Sequence, residues 1–451
     1  MKPLLLSLIT SLFALLLIAA APEEKQKGGA GQGGQVEPAV VPPYLFNVWL
    51  CRPGAEAVTV SVLAWEEMEA FIEYGDGLKT GAVKLRAGVP ENVVLSGLKP
   101  DTSYNYRLSY RRSRGEWVQD AMRRFHTQRK SGQSFSFVMQ ADSHLDNNTD
   151  VRVYQQTLAN MLADKPDFMI DLGDTTMVDK FGRFYTRAES QYKAQRYYMG
   201  RVAHSVPIFM VLGNHDGERG SDPAMSEWSL GMRHTYFPNP TDGNDKHSYF
   251  AFEWGNALFI GLDPFWSTMQ RGASGWDMTL GEQQYRWLEK TLAGSKAAMR
   301  FVFIHHLVGG LGRDVRGGAK PAAYMEWGGR NADGSEGFRQ NRPGWEMPIH
   351  ELFVKSGVNI VFHGHDHLFV KEELNGIIYQ EVPQPGHPSG GTRSAEEYGY
   401  GGVILGSAGH VRVTVGESEA KVDYVRSVVP GVTRANLENC AVEHSYSVKS
   451  R

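Results

Sequence analysis

The chain has 451 residues, with 47 Lys and Arg against 50 Asp and Glu, a formal net charge of −3. So even a balance carries no electrostatic mandate, and no specific nucleic-acid partner is expected. Hydrophobic residues at 41% and charged ones at 22% exclude bulk disorder, and 2 cysteines exclude a disulfide scaffold and a four-cysteine zinc site. Residues 1–21 read as a targeting segment. Lys2 supplies a positive charge, Leu4 to Ile18 is almost wholly apolar, and Ala19 to Ala21 offers small residues for cleavage, although Pro22 disfavours a cut directly after Ala21. Export to a periplasmic or extracellular space is therefore expected. The alternative is a retained membrane anchor, because the apolar stretch approaches the length of a short spanning helix. Residues 22–43 carry Gly28, Gly29, Gly31, Gly33 and Gly34 and read as a flexible linker. Cys51 and Cys440 can pair or stay free, and the sequence leaves both open.

Residues 44–130 read as a small all-β domain. Val58 to Val62, Phe71 to Tyr74 and Tyr104 to Leu108 alternate with period two, separated by turn signals at Gly75-Asp76-Gly77, Gly97 and Pro100-Asp101. Strands about ten residues apart without a helical pattern indicate a sandwich. The run Leu98-Lys99-Pro100-Asp101-Thr102-Ser103-Tyr104 resembles the strand entry of fibronectin type III domains, which implies a tyrosine packing the corner. Arg107, Arg111, Arg112, Arg114, Arg123 and Arg124 read as solvated strand residues rather than an anion patch.

Residues 131–430 change to alternating strand and helix. The pattern predicts a strand at Phe135 to Met139, a helix over Val151 to Ala163, strands at 167–172 and 207–212, and a long polar helix over 186–203 between those two. Strands at 248–252 and 257–262 follow, then a helix near 280–293, a strand at 301–304, a helix near 348–356 and a strand at 358–362. Short strands end the domain, and 431–451 reads as a C-terminal tail. This is an α/β domain around a buried mixed sheet. Between two of the strands, residues 307–347 are glycine-rich and aperiodic. They carry Arg313, Arg316, Arg330, Arg339, Arg342, Trp327 and Trp345, and a segment of this kind is expected to act as a lid or substrate-selecting rim.

Five strands run into metal-ligating side chains: Asp142-Ser143-His144, Gly173-Asp174, Gly213-Asn214-His215-Asp216, His305-His306, and His363-Gly364-His365-Asp366-His367. Loops at strand ends are where such a sheet places function. Carboxylate and imidazole together suit Mn, Fe, Zn or Co. Glycine before Asp174, Asn214 and His365 permits tight turns and close backbone approach. Other histidines, His126, His204, His234, His247, His350, His363, His387 and His410, read as structural or surface residues, and Trp65, Trp117, Trp254 and Trp287 as packing residues. No P-loop or dinucleotide fingerprint occurs.

In this order, D-x-H, G-D, G-N-H-D, H and G-H-x-H, the set resembles the calcineurin-like metallophosphoesterase superfamily, including the purple acid phosphatases. The resemblance spans residues 142 to 367. It implies an α/β (α+β) four-layer sandwich of mixed β-sheets flanked by helices, preceded by the small β-domain. It implies two divalent or trivalent metal ions, one held by Asp142, His144, Asp174 and His367, the other by Asp174, Asn214, His305 and His365, with His305 preferred to His306. It further implies His215 as the non-ligand histidine near the scissile phosphate, with Asp216 orienting it. The chain departs from purple acid phosphatases at Met177, where that group has a tyrosine ligand, and His144 points to the histidine-containing branch instead. The implied activity is hydrolysis of small phosphate mono- or diesters by an activated water. A non-catalytic cell-surface binding protein on the same fold and a phosphoprotein phosphatase remain the other readings.

Overall fold

The computed structural model describes residues 39–240, 247–268, 275–308, 318–392, 395–398, 401–433 and 436–451. The targeting segment, most of the linker, Arg313 and Arg316 lie outside the described residues. Among the described residues no helix is long and apolar enough to cross a membrane.

The first strands build two facing sheets. β1 (Phe46–Cys51), β2 (Ala57–Ala64) and β6 (Glu91–Ser96) form one. β3 (Met68–Tyr74), β4 (Leu78–Lys79), β5 (Val83–Leu85), β7 (Ser103–Arg112), β8 (Val118–Gln119) and β9 (Arg123–His126) form the other. Period-two alternation puts Val58, Val60, Val62, Ile72, Tyr106 and Leu108 into the core between them. The Tyr104 hydroxyl accepts from the Lys99 N–H at 2.8 Å and ties the strand entry to its turn. The arginines of β7 face acids across the ladder: Arg107 pairs with Glu73 at 2.7 Å, and Arg111 and Arg112 with Glu69 and Glu66. That pairing leaves no cationic patch there. Trp117 lies on the surface against Phe71 and Arg111 rather than in a core.

The remaining chain is a four-layer sandwich. β10 (Phe135–Gln140), α1 (Val151–Ala163), β11 (Phe168–Asp171), α2 (Glu189–Ala203), β12 (Ile208–Met210) and α3 (Pro223–Tyr236) come first. β13 (Phe250–Trp254), β14 (Ala257–Gly261), α4 (Gly281–Gly294), β15 (Met299–Phe303), α5 (Met325–Gly328), α6 (Phe338–Asn341), α7 (Ile349–Lys355) and β16 (Ile360–His363) follow. β17 (Phe369–Leu374), β18 (Ile377–Glu381), β19 (Val403–Leu405), β20 (Gly409–Val415), β21 (Glu419–Arg426) and β22 (Val442–Lys449) close the chain. One sheet runs β12-β11-β10-β20-β21-β22 and the other β13-β14-β15-β16-β18-β17-β19. Their inner faces meet in a core of phenylalanines. Phe137 stacks on Phe168 at 5.3 Å in one sheet and meets Phe259 of the other edge-on at 5.2 Å, while Phe303 stacks on Phe362 at 5.3 Å. α1, α2 and α3 cover one outer face, and α4 to α7 the other.

Three elements differ from the pattern reading. The helix over 186–203 starts as a 3-10 segment at Val178–Ala188 and becomes α-helical only from Glu189. α3 was not foreseen, although Asp222 caps it by accepting from the Met225 N–H and Pro223 opens it. Within residues 431–451, expected to be a tail, Val442–Lys449 form β22, which pairs antiparallel with β21, and its Tyr446 hydroxyl donates to Gln380 Oε1 at 2.8 Å.

The segment expected to be a lid or rim is, over residues 318–347, part of the outer helical layer. Trp327 is buried with its Nε1 donating to the Tyr379 hydroxyl at 3.0 Å, and Trp345 stacks on Tyr285 at 3.9 Å. Arg342 pairs with Glu326 at 2.7 Å, and Arg339 donates to the Trp345 and Glu346 carbonyls. These arginines serve packing. Cys51 is buried, Cys440 exposed, and both are free thiols.

Candidate metal centre

The strands β10, β11 and β12 run parallel in one sheet, and β14, β15 and β16 in the other. Each of β10, β11, β12, β15 and β16 delivers a motif just past its C-terminal end, so Asp142, Asp174, Asn214, His305 and His365 leave rigid bases. The turns are sharp. Asp142 (φ 57°), Asp174 (φ 54°), His365 (φ 92°) and His367 (φ 65°) all occupy the left-handed region, which costs an L-residue of order 1 kcal/mol or more. Such strain persists where surrounding contacts fix it, and here they do. Methyl groups at Gly173 or Gly213 would collide with the backbone of the other loop, and a Cβ at Gly364 would stand 2.6 Å from that of Ala141.

Two groups of ligating atoms result: Asp142, Asp174, His305 and His365, and Asp142, His144 and His367, with the atoms of each group within 4.8 Å of one another. His305 Nε2 faces His365 Nδ1 at 3.1 Å and Asp174 Oδ2 at 3.3 Å. Its Nδ1 lies 2.8 Å from the Leu172 carbonyl, which leaves Nε2 for the centre. His144 Nε2 faces His367 Nε2 at 3.3 Å, with His144 Nδ1 turned to Asp146 at 3.2 Å. Imidazole nitrogens aimed at one another beside buried carboxylates suit a cation between them. Asp142 Oδ1 and Asn214 Oδ1 are buried acceptors without a hydrogen-bond partner, an expense a cation would remove. The donor set therefore fits two ions. In this geometry Asp142, rather than Asp174, reaches both groups. His306 enters neither; its ring lies by Phe265.

Burial works to raise the Asp174 carboxyl, but the positive charge of His305 and His215 outweighs it and holds the group well below the usual range. Burial likewise opposes protonation of His305, and the Asp174 carboxylate overcomes it, pushing the imidazole up to about 9. Around the centre, burial raises Asp171 to about 6 although Thr175, Gln140 and the Gly173 N–H donate to it.

His215 lies at the mouth of this group. Its backbone N–H donates to Asp174 Oδ1 at 2.7 Å, and its Nε2 is 3.9 Å from Asp174 Oδ2. The partner of its Nδ1 is Asp179, at 2.9 and 3.0 Å, and not Asp216. Asp216 is spent elsewhere: it accepts from the backbone N–H groups of Gly213, Asp174, Thr175 and Thr176 at 2.8 to 3.0 Å and so binds two ligand loops together. Asp179 was missed because it belongs to no motif; five positions after Asp174, it is placed by the turn at Met177 (φ 50°). Arg219 also faces Asp179, at 3.5 Å. A small pocket beside the centre is lined by Asn214, Arg219, Ser221, Phe265, Thr268, Met278 and His306. Of the histidines read as structural or surface residues, His363 is buried beside Glu381 and His410 meets Asp164 at 2.7 Å, whereas His387 lies near enough to His144 and His367 to feel their charge.

The Calcineurin-like phosphoesterase family matches residues 135–369. The chain belongs to that family. Its relatives include purple acid phosphatase 13 of Arabidopsis thaliana, 26% identical over 247 residues, which cover 48% of this chain and 41% of the relative. Purple acid phosphatase 15 of the same plant is 22% identical over 324 residues, 67% of this chain and 52% of the relative. The chain thus spans about half the length of the curated relatives it matches. Among solved structures, PhoD superposes with a TM-score of 0.64 at 14% identity, covering 90% of each chain. The purple acid phosphatase PPD1 from yellow lupin seeds gives 0.58 at 18% identity, covering 89% of this chain and 74% of that one. These two likenesses show that the four-layer fold is shared with this chain.

Proposed function

We propose that the protein is an exported, dinuclear metal-dependent hydrolase of small phosphate esters. The observation that carries this is the pair of buried His and Asp groups sharing Asp142 at the ends of parallel strands from two sheets. Asp142, His144 and His367 would hold one ion, and Asp142, Asp174, His305 and His365, with the Asn214 carbonyl as a further donor, would hold the other. Two such ions, when bound, supply a nucleophile at neutral pH and neutralise phosphoryl charge. The chain's own groups do the rest. Asp179 fixes the His215 ring with Nε2 toward the centre, so this nitrogen can hold a proton near the leaving oxygen and release it as the ester bond breaks. Asp216 keeps the Asp174 and Asn214 loops in register by anchoring their backbones. Arg219 and His306 border the pocket where a phosphoryl oxygen or leaving group would lie. Export rests on the Met1–Ala21 pattern, and the sandwich with its Tyr104 corner supports the fibronectin III likeness. The ions are drawn from Mn, Fe, Zn and Co.

Hydrolysis of p-nitrophenyl phosphate and bis-p-nitrophenyl phosphate by the purified full chain tests this. Activity with added Mn that disappears on chelation is expected; full activity in metal-stripped protein would overturn the reading, and no activity on either ester with metal bound would favour a binding role.

A further inference from the structure

α2 carries two adjacent buried polar residues that act in different directions, since successive helix positions point about 100° apart. Gln195 faces the strand ends. Its Nε2 donates to the Ser143 carbonyl at 2.8 Å and to the Thr175 carbonyl at 2.8 Å, and its Oε1 accepts from the Tyr154 hydroxyl at 3.1 Å. Ser143 lies between Asp142 and His144, and Thr175 follows Asp174. One amide therefore spans the two loops that carry three of the candidate ligands. The network continues beneath them: the Asp171 carboxylate accepts from Thr175 Oγ1 at 2.6 Å, from Ser143 Oγ at 3.3 Å and from Gln140 Nε2 at 2.7 Å.

Arg196 faces the other way, into the β-sandwich. Its Nε donates to Asn47 Oδ1 at 2.8 Å, Nη1 to Ser61 Oγ at 3.0 Å and to the Tyr236 carbonyl at 2.8 Å, and Nη2 to the Ser61 carbonyl at 3.0 Å. Asn47 returns a bond from Nδ2 to the Arg196 carbonyl at 2.7 Å. The guanidinium also stands 5.2 Å over the Trp49 ring. It is fully buried, and among the described residues no carboxylate pairs with it. A buried cation held by neutral acceptors alone is costly, and its several fixed hydrogen bonds make α2 immobile against β1 and β2. One turn on, Gly200 lies so close to β1 that a Cβ there would overlap the Asn47 side chain.

We propose that Gln195 is a positioning residue for the metal centre, and that Arg196 holds it in place by bolting α2 to the β-sandwich. The sandwich is then a structural part of the centre and not an appended module. This rests on the dinuclear reading above.

The test measures affinity for Co2+ and Mn2+ in the full chain, by competition with a chromophoric chelator, together with the Co2+ visible spectrum and the far-ultraviolet dichroism. Gln195→Leu is expected to keep the dichroism while weakening metal binding by about 10–100-fold and altering the Co2+ bands. Tyr154→Phe, which keeps the buried ring and removes the hydroxyl that donates to Gln195 Oε1 and accepts from Gln140 Nε2, is expected to shift affinity the same way by less, and decides the matter if Gln195→Leu does not fold. Arg196→Met is expected to weaken metal binding as well. Wild-type affinity in both Gln195→Leu and Tyr154→Phe overturns the positioning role, and wild-type affinity in folded Arg196→Met removes the sandwich from it. A wild-type chain that binds no metal sinks the dinuclear reading itself, and the proposal with it.

Discussion

At His215 the imidazole is held from behind by Asp179 and presents Nε2 to the centre. Asp179→Asn is expected to lower kcat by about 10–100-fold with two metals retained, because it disturbs ring orientation and proton affinity only. Asp216→Asn should instead lose metal, since that carboxylate collects four backbone N–H groups from the ligand loops. Turnover with parallel metal analysis distinguishes the two. A second residue-scale prediction concerns pH. Burial raises the Asp263 carboxyl to about 7, against donation from the Phe265 N–H. The folded chain keeps this proton where the unfolded chain, with an ordinary aspartate of 3.8, has released it. Stability from this group is therefore full below about pH 4 and is lost as pH rises toward 7. Asp263→Asn keeps the Oδ1 acceptor and removes the charge. It should stabilise the protein by roughly 1–3 kcal/mol at about pH 8 and by nothing near pH 4, as read from urea midpoints. The candidate ligands were legible because their spacing relative to strand ends is local. Asp179, Gln195 and Arg219 were not, because what selects them is tertiary: a turn, a helix face and a loop that meet only in the folded chain.

At the scale of elements, the strands feeding the centre announced themselves through runs such as Phe135 to Met139, buried by the facing sheet on one side and by helices on the other. α3 escaped because its buried face is narrow and mixed, with Ser226, Ser229 and Arg233 among its buried residues, so no apolar period marks it. β22 escaped because it is an edge strand, exposed and intermediate in turn along Val442–Lys449, with few apolar residues. It nevertheless covers β21 and packs Tyr446 and Val448 on the core. Removing residues 441–451 should cost about 2–4 kcal/mol and lower the melting temperature by several degrees, measured by calorimetry. An unchanged transition would show that β21 is stable as an edge by itself.

For the whole molecule, the four layers place two sets of parallel strand ends on one side of a rigid phenylalanine core, so that side chains from opposite sheets meet. That meeting is the claim on which the function rests. It is tested most directly by anomalous diffraction from crystals of the full chain grown with Mn. The account predicts two peaks about 3.5 Å apart, one among Asp142, His144 and His367 and the other among Asp142, Asp174, His305 and His365. Peaks elsewhere, or none among these residues at saturating metal, would contradict it.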